Sequence, residues 1–380
     1  MKIIKIPKNR IRKLRTLSLG EKAYEFKSSN SQFQQNYIDL CSNDYLGLSR
    51  NIEVINAAYK TTLKEGLGSG SSRFISGTRP IHQSLESELG KWLNKEKILL
   101  FPSGFQANIA AMQALANRDS IIITDKLIHH SLLVGAKSSG AKLVRFFHND
   151  LIDLEKKILK YSLSNKNILV TVESLYSMEG TISPLEEIAE ICKKYNCRLL
   201  VDEAHAMGIL GSEGRGLSYG CKNPIDIISG TLGKAFGSGG AFLACNSKMG
   251  DYLIQTSGAF RYTTAISPSL AAGALQSLRE IKSNKNWGLD LLKNSRIWRN
   301  KITNLDKWPV KGDCQILSLI IGDEDKTLLL QRYLEDKGFL AVGIRPPTIP
   351  RGQSRIRITI RRTLDLCILD KFISALKNFK

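Results

Sequence analysis

Arg198-Leu-Leu-Val-Asp-Glu-Ala-His205 reads as a short apolar strand that ends in a carboxylate, with a histidine three residues further on. A run this short is not told from a buried helix by its own periodicity. Its surroundings decide. Ile98–Phe101, Ile121–Thr124, Ile168–Val172 and Ala241–Cys245 are apolar runs of the same kind, and the helical patterns Pro80–Leu93, Gly104–Leu115 and Pro184–Tyr195 lie among them. Short strands buried on both faces and separated by helices predict an α/β fold with a mostly parallel sheet covered by helices. Ligands bind such sheets at the carboxyl ends of the strands, which puts Asp202 and His205 where a cofactor would lie. Taken alone, the two residues are a weak signal and read sooner as a satisfied structural pair; a metal pair would lack a third ligand at suitable spacing.

The texture changes near residue 285. A helical stretch, Asn286–Ile302, is followed by a strand-like run, Gln315–Ile321, and a helix, Lys326–Lys337. Two more strands, Leu340–Ile344 and Arg355–Ile360, and a last helix, Leu364–Phe379, complete the pattern of a small α+β domain. The expected organisation is an N-terminal arm over 1–40, a large α/β domain over 41–284 and a small domain over 285–380.

Composition bounds the function. With 380 residues, 42% hydrophobic and 24% charged, the chain is neither disordered nor fibrous. No apolar run approaches the roughly 18 residues of a membrane span, and no apolar h-region follows the N-terminal charges, so neither a span nor a secretory leader is expected. Seven cysteines without a C-x-x-C pair, and with no histidine near Cys192 and Cys197, argue against a zinc site and for a reducing, cytosolic compartment. The formal charge is +20. Residues 1–20 hold seven basic side chains and no acid, and residues 345–380 hold nine against Asp365 and Asp370. Such an excess suits anionic partners, or is simply a solvated surface.

Three further segments carry chemistry. Ser229-Gly-Thr-Leu-Gly-Lys234-Ala-Phe-Gly-Ser-Gly-Gly240 sets one lysine among five glycines. It fails the G-x-x-x-x-G-K-[ST] phosphate loop, because Ala235 follows the lysine and no glycine lies five residues before Gly233. An amine in a desolvated, small-residue pocket is a candidate Schiff-base nucleophile. Phe101-Pro-Ser-Gly-Phe-Gln-Ala-Asn108 opens a helix with an N-terminus able to take a phosphate, or with an ordinary Ser103 cap. Ile128-His-His-Ser131 puts histidines at a strand-to-helix junction. His148 reads as a turn residue and His82 as core or surface.

Together these segments resemble the α-oxoamine synthases, pyridoxal-phosphate enzymes of fold type I. The matching stretches are Ser42–Gly47, Gly68–Arg73, Phe101–Asn108, Glu173–Gly180, Val201–His205, Gly214–Gly216, Gly230–Gly240, and Ile344–Gly352 followed by Arg355–Thr359. The resemblance implies a seven-stranded large-domain sheet and a homodimer with active sites at the subunit interface. It implies that Lys234 holds pyridoxal phosphate and moves protons, and that Asp202 pairs with the pyridine nitrogen. His205 and Ser177 would bond the phenolic oxygen, and His129 would stack on the ring. The Gly104 and Phe105 backbone and the Thr231 hydroxyl would take the phosphate, with Thr263 or Thr264 reaching that of a neighbouring subunit. Arg357 would fork onto the amino-acid carboxylate. Thr348, Arg345 and Arg15 would contact substrate, Arg12 competing with Arg15. His130 stands where relatives often have a small residue, and its role is open. The stretch Ile344-Arg-Pro-Pro-Thr-Ile-Pro-Arg-Gly352 implies L-alanine and a pimeloyl thioester, on CoA or acyl carrier protein, as substrates of a decarboxylating condensation. The basic segments would attract the carrier's phosphates.

Other classes remain in view. A sibling would condense glycine or serine with another acyl-CoA. A nucleic-acid-binding protein would suit the charge, but no helix-turn-helix, RNP or zinc-finger pattern appears and aromatics are only 7%. A catalytically dead scaffold would not need Lys234, Asp202 and His205 intact.

Overall fold

The structure, a computed structural model, describes residues 6–28, 35–162 and 166–380. The chain divides into two compact units, one built from 48–176 and 182–288, the other from the described parts of 1–47, 177–181 and 289–380.

Among the described residues, the first unit holds a sheet of seven strands. Their order across the sheet is Lys97–Phe101, Ala241–Cys245, Ile227–Thr231, Arg198–Asp202, Asn167–Glu173, Ser120–Asp125 and Lys142–Phe146. Ala241–Cys245 is antiparallel to both neighbours, and the other adjacent pairs are parallel. The mostly parallel sheet expected from the alternation of runs is therefore present. Its central strands are buried along nearly their whole length, and their middles are apolar because helices cover both faces. Helix Gly104–Leu115 packs Ala107, Ala110, Ala111 and Met112 into a core shared with Leu99, Ile122, Leu200 and Leu243 of the sheet. The alanines let it lie close to the strands.

Register places the site. Glu173 pairs with Asp202, and Asp202 with Ser229, so three carboxyl ends stand level. Phe101 and Thr231 both pair with Ala241. The single reversed strand thus returns the glycine-rich segment after Thr231 to the edge where helix Gly104–Leu115 begins.

The second unit contains two four-stranded sheets among its described residues. One runs Leu17–Leu19, Glu25–Ser28, Asn36–Asp39, Phe339–Leu340. The other runs Val310–Lys311, Ile316–Gly322, Ser354–Thr359, Val342–Ile344. The run expected as one strand, Leu340–Ile344, is divided at Ala341: Phe339–Leu340 pairs in parallel with Ile38–Asp39, and Val342–Ile344 pairs with Arg355–Arg357. Segment 39–47 docks beside the end of Ser354–Thr359 through Thr359 N to Leu40 O and Arg362 N to Tyr45 O, both 2.8 Å. Buried Arg361 locks it, at 2.5 Å from Asp39 and 3.4 Å from Asp44.

Candidate active site

In the first unit, Gly104, Phe105, His129, Asp202, His205, Thr231 and Lys234 line one cavity of about 210 Å3. Each is delivered by a strand end or a helix start. Ser103 caps helix Gly104–Leu115, its hydroxyl accepting from Gln106 N, as the plain reading of that segment expected. The N–H groups of Gly104 and Phe105 lie in the first turn, where a helix supplies no carbonyl partner. A Cβ on Gly104 would stand 3.8 Å from the Thr231 hydroxyl, so the two face each other across the helix end.

Lys234 sits in a loop cinched by Leu232 N to Gly240 O and Gly237 N to Lys234 O. Gly237 has φ +59°, and a Cβ there would lie 2.1 Å from Ser49 N, so only glycine closes this loop. The Lys234 Nζ is 2.9 Å from His205 Nε2, within hydrogen-bond distance. The Asp202 carboxylate is 5% exposed. It accepts from Asn108 Nδ2 at 2.7 Å and Ala204 N at 2.9 Å, and among the described residues no Lys, Arg or His side chain pairs with it. Burial pushes the His129 pKa down, Lys234 and His130 push the same way, and Asp202 partly offsets them. The adjacent Glu203 is structural. Its fully buried carboxyl accepts from Ser174 and Ser218, burial pushes its pKa up, and Gly216 leaves the room it occupies.

This donor set tests the fit of pyridoxal phosphate. A buried carboxylate without a cation suits a pyridinium, an open helix N-terminus suits a phosphate, and an amine with a basic partner suits an aldehyde carbon. The residues fit the group.

Ser177, Arg15, Arg345, Thr348 and Arg357 belong to the second unit. Arg357 is buried on strand Ser354–Thr359. It donates to Ser177 O at 2.7 Å, Asn43 Oδ1 at 3.0 Å and Thr359 Oγ1 at 3.2 Å. The buried Tyr45 hydroxyl also bonds it, and among the described residues no acid pairs with it. Arg355, two residues earlier, is paired with Glu179 at 3.1 Å.

A second cavity, of about 940 Å3, is lined by Arg12, Arg15, Arg345 and Thr348 with apolar walls that include Leu14, Leu17, Leu340 and Ile344. Arg12 donates to Thr348 Oγ1 at 2.9 Å. Arg15 is occupied by Glu335 at 2.7 Å. Buried Arg345 donates to Asn9 O, and its Nε has no partner. Burial and then Arg12 push its pKa down. His130 stands beside Phe105, their rings 6.3 Å apart, and Thr264 bridges Ser72.

The motifs did not single out Asn108, Ser131, Glu173 or Ser229, which line the first cavity. Asn108 was within reach, since it follows Gly104 at helical spacing on one face. His148, read as a turn residue, is 3.0 Å from buried Asp125.

A family model, Aminotransferase class I and II, matches residues 35–376. The chain belongs to that family. It is 39% identical over 323 residues, 84% of this chain and 83% of the other, to a putative 8-amino-7-oxononanoate synthase of Acetivibrio thermocellus. Among solved structures it is similar to a serine palmitoyltransferase determined with pyridoxal phosphate, at a TM-score of 0.90 and 27% identity over 95% of this chain and 92% of that one. It is also similar to 8-amino-7-oxononanoate synthase from Francisella tularensis, at 0.77 and 28% over 90% and 96%. The resemblance to the α-oxoamine synthases and the fold type I architecture are borne out.

Proposed function

We propose that this chain condenses L-alanine with a pimeloyl thioester, on CoA or acyl carrier protein, to give 8-amino-7-oxononanoate, CO2 and the free thiol carrier, a step of biotin biosynthesis. The observation that carries the reading is the Lys234–His205 pair in one cavity with the carboxylate of Asp202, which no cationic side chain pairs among the described residues. Pyridoxal phosphate, held at Lys234, supplies an electron sink that lets bonds at the amino-acid Cα break heterolytically.

The chain's own groups do the rest. Asp202 holds a proton against the ring nitrogen. The Gly104 and Phe105 N–H groups and the Thr231 hydroxyl bind phosphate, His129 covers the ring face, and Ser177 and His205 bond its phenolic oxygen. Lys234 Nζ takes the alanine Cα proton, and His205 Nε2 is placed to share it. Arg357, a cation with no acid paired to it among the described residues, forks onto the alanine carboxylate. In the second cavity, Arg345 and Arg12 meet the far carboxylate of the pimeloyl chain, Thr348 assists, and the apolar walls take its methylenes. Arg12 suits this role better than Arg15, which Glu335 already neutralises. A buried guanidinium whose Nε has no partner favours a dicarboxylic chain over the plain alkyl chain that a palmitoyl-transferring sibling would take.

The partner is a second copy of the chain. Ile52, Ile55, Tyr59 and Leu63 form a stripe along helix Ile52–Glu65 and are 46–71% exposed. Thr263 or Thr264 of one copy would reach the phosphate of the other. Free cysteines suit the cytoplasm, and no described helix is long and apolar enough to cross a membrane.

The test is the ultraviolet–visible spectrum of purified protein loaded with pyridoxal phosphate and titrated with L-alanine, glycine and L-serine. L-alanine is expected to perturb the band at the lowest concentration. A win for glycine or serine would leave the family and remove the substrate assignment.

A further inference from the structure

We infer that Asn108 is a positioning residue that sets, from one side-chain amide, both the carboxylate of Asp202 and the ring form of His129. Asn108 is 3% exposed on helix Gly104–Leu115. Its Nδ2 carries two hydrogens, and two acceptors stand ready for them: Asp202 Oδ2 at 2.7 Å and Ser131 Oγ at 2.9 Å. The amide has only this orientation, because turned over it would set Oδ1 against a carboxylate oxygen.

The consequence passes along the chain of bonds. Ser131 Oγ accepts from Asn108, so its own hydrogen is free for its other neighbour, His129 Nδ1, at 2.7 Å. The Ser131 backbone N–H points at the same nitrogen from 3.3 Å. Two donors aimed at Nδ1 make it an acceptor, which leaves the proton of the neutral ring on Nε2. The charged and titratable groups facing the ring are Asp202, Lys234 and His130, and burial with them disfavours a cation there.

The functional point concerns competition. An imidazolium at His129 would claim the Asp202 carboxylate that a pyridinium needs. Asn108 holds the two apart by donating to both branches. The arrangement leaves Asn108 Oδ1 buried without a partner. A side chain selected only for packing would avoid that cost.

The consequence for the ring rests on the cofactor reading above, but the geometry does not, and the experiment separates them. The imidazole nitrogens of 15N-histidine-labelled full-length chain are observed without cofactor from about pH 7 to 9, above the ordinary histidine value. His129 is assigned among the five histidines by His129→Gln. In the parent chain His129 is expected to show an unprotonated Nδ1 and a protonated Nε2 throughout. Asn108→Leu is expected to mix the two forms and to weaken pyridoxal-phosphate binding, read by fluorescence, at least about tenfold. Ser131→Ala is expected to alter the His129 signals while binding changes less than about threefold, because Asp202 keeps its amide. Unchanged His129 signals in Asn108→Leu, or unchanged affinity, would overturn the inference. If Asn108→Leu does not fold, unchanged His129 signals in Ser131→Ala do the same. A parent chain that takes up no pyridoxal phosphate would sink the functional reading instead, and the nitrogen signals would still be read.

Discussion

The Lys234 amine bonds His205 Nε2 in a cavity whose walls are built by other residues. Lys234→Ala is therefore expected to fold with an unchanged thermal midpoint and to release no CO2 from L-alanine and pimeloyl thioester. Retained turnover would overturn the proposed chemistry. His82 shows the opposite kind of residue. It is fully buried, its Nδ1 accepts from Arg79 N at 3.0 Å, and its Nε2 bonds Ile266 O at 2.9 Å. Burial, then Arg73 and Arg79, push its pKa from 6.5 down to about 4. Unfolded chain takes a proton at this side chain below about pH 6.5 while the folded chain does not, so its contribution to stability is full above that pH and lost progressively as pH falls toward 4. Denaturant titrations across that interval should decline less steeply in His82→Gln. A slope equal to the parent's would refute the assignment. Its fully buried place was not legible, because a histidine inside a helical pattern carries no mark of the carbonyl it meets 184 residues away.

Strand Ser354–Thr359 alternates Arg355, Arg357 and Thr359 with Ile356 and Ile358, and all are buried. Alternation is legible in sequence; which arginine is neutralised is not, since Glu179 lies 176 residues earlier. The difference has a measurable form. Glu179→Gln strands Arg355 as a buried unpaired cation and should cost about 3–5 kcal/mol in urea unfolding. Arg357→Gln removes a cation that is already unpaired and should cost much less, while raising the KM for L-alanine by about a hundredfold, the loss of a charge-assisted pair. Equal stability losses would argue that Arg357 is structural. The helices Pro80–Leu93 and Gly104–Leu115 end where their periodicity and caps predict. Runs that feed two sheets, as at Ala341, cannot be parsed this way, because each half is shaped by a different distant partner. The strands near the N-terminus lack a local signal for the same reason: Asn36–Asp39 pairs with Phe339–Leu340, some 300 residues on.

At the scale of the molecule, the apolar stripe on helix Ile52–Glu65 calls for a covering surface. Burying such side chains is worth on the order of 1–2 kcal/mol each. Tyr59→Asp with Leu63→Lys is expected to convert the chain from dimer to monomer in sedimentation, with loss of turnover and an unchanged circular dichroism spectrum. A parent chain that sediments as a monomer would remove the dimer proposal. The excess charge is legible as a number, but its placement is not. Several of the arm's cations line the cavity holding Arg345, while others, such as Arg10 at 2.6 Å from Glu324, are spent in pairs.

The reversed strand Ala241–Cys245 has a consequence for the order in which the molecule can be made. Among the described residues strand Lys97–Phe101 has no other sheet neighbour, so it waits at the edge until a segment synthesised about 140 residues later arrives. Loop closure over such a separation is slow compared with local helix formation. Helix Gly104–Leu115 leaves the ribosome early, but the hydroxyl of Thr231 and the amine of Lys234 meet it only once residue 245 has emerged. Capture of a small phosphorylated ligand is thus a late event of biosynthesis, and the nascent chain passes through a long interval in which one edge of its central sheet is unguarded.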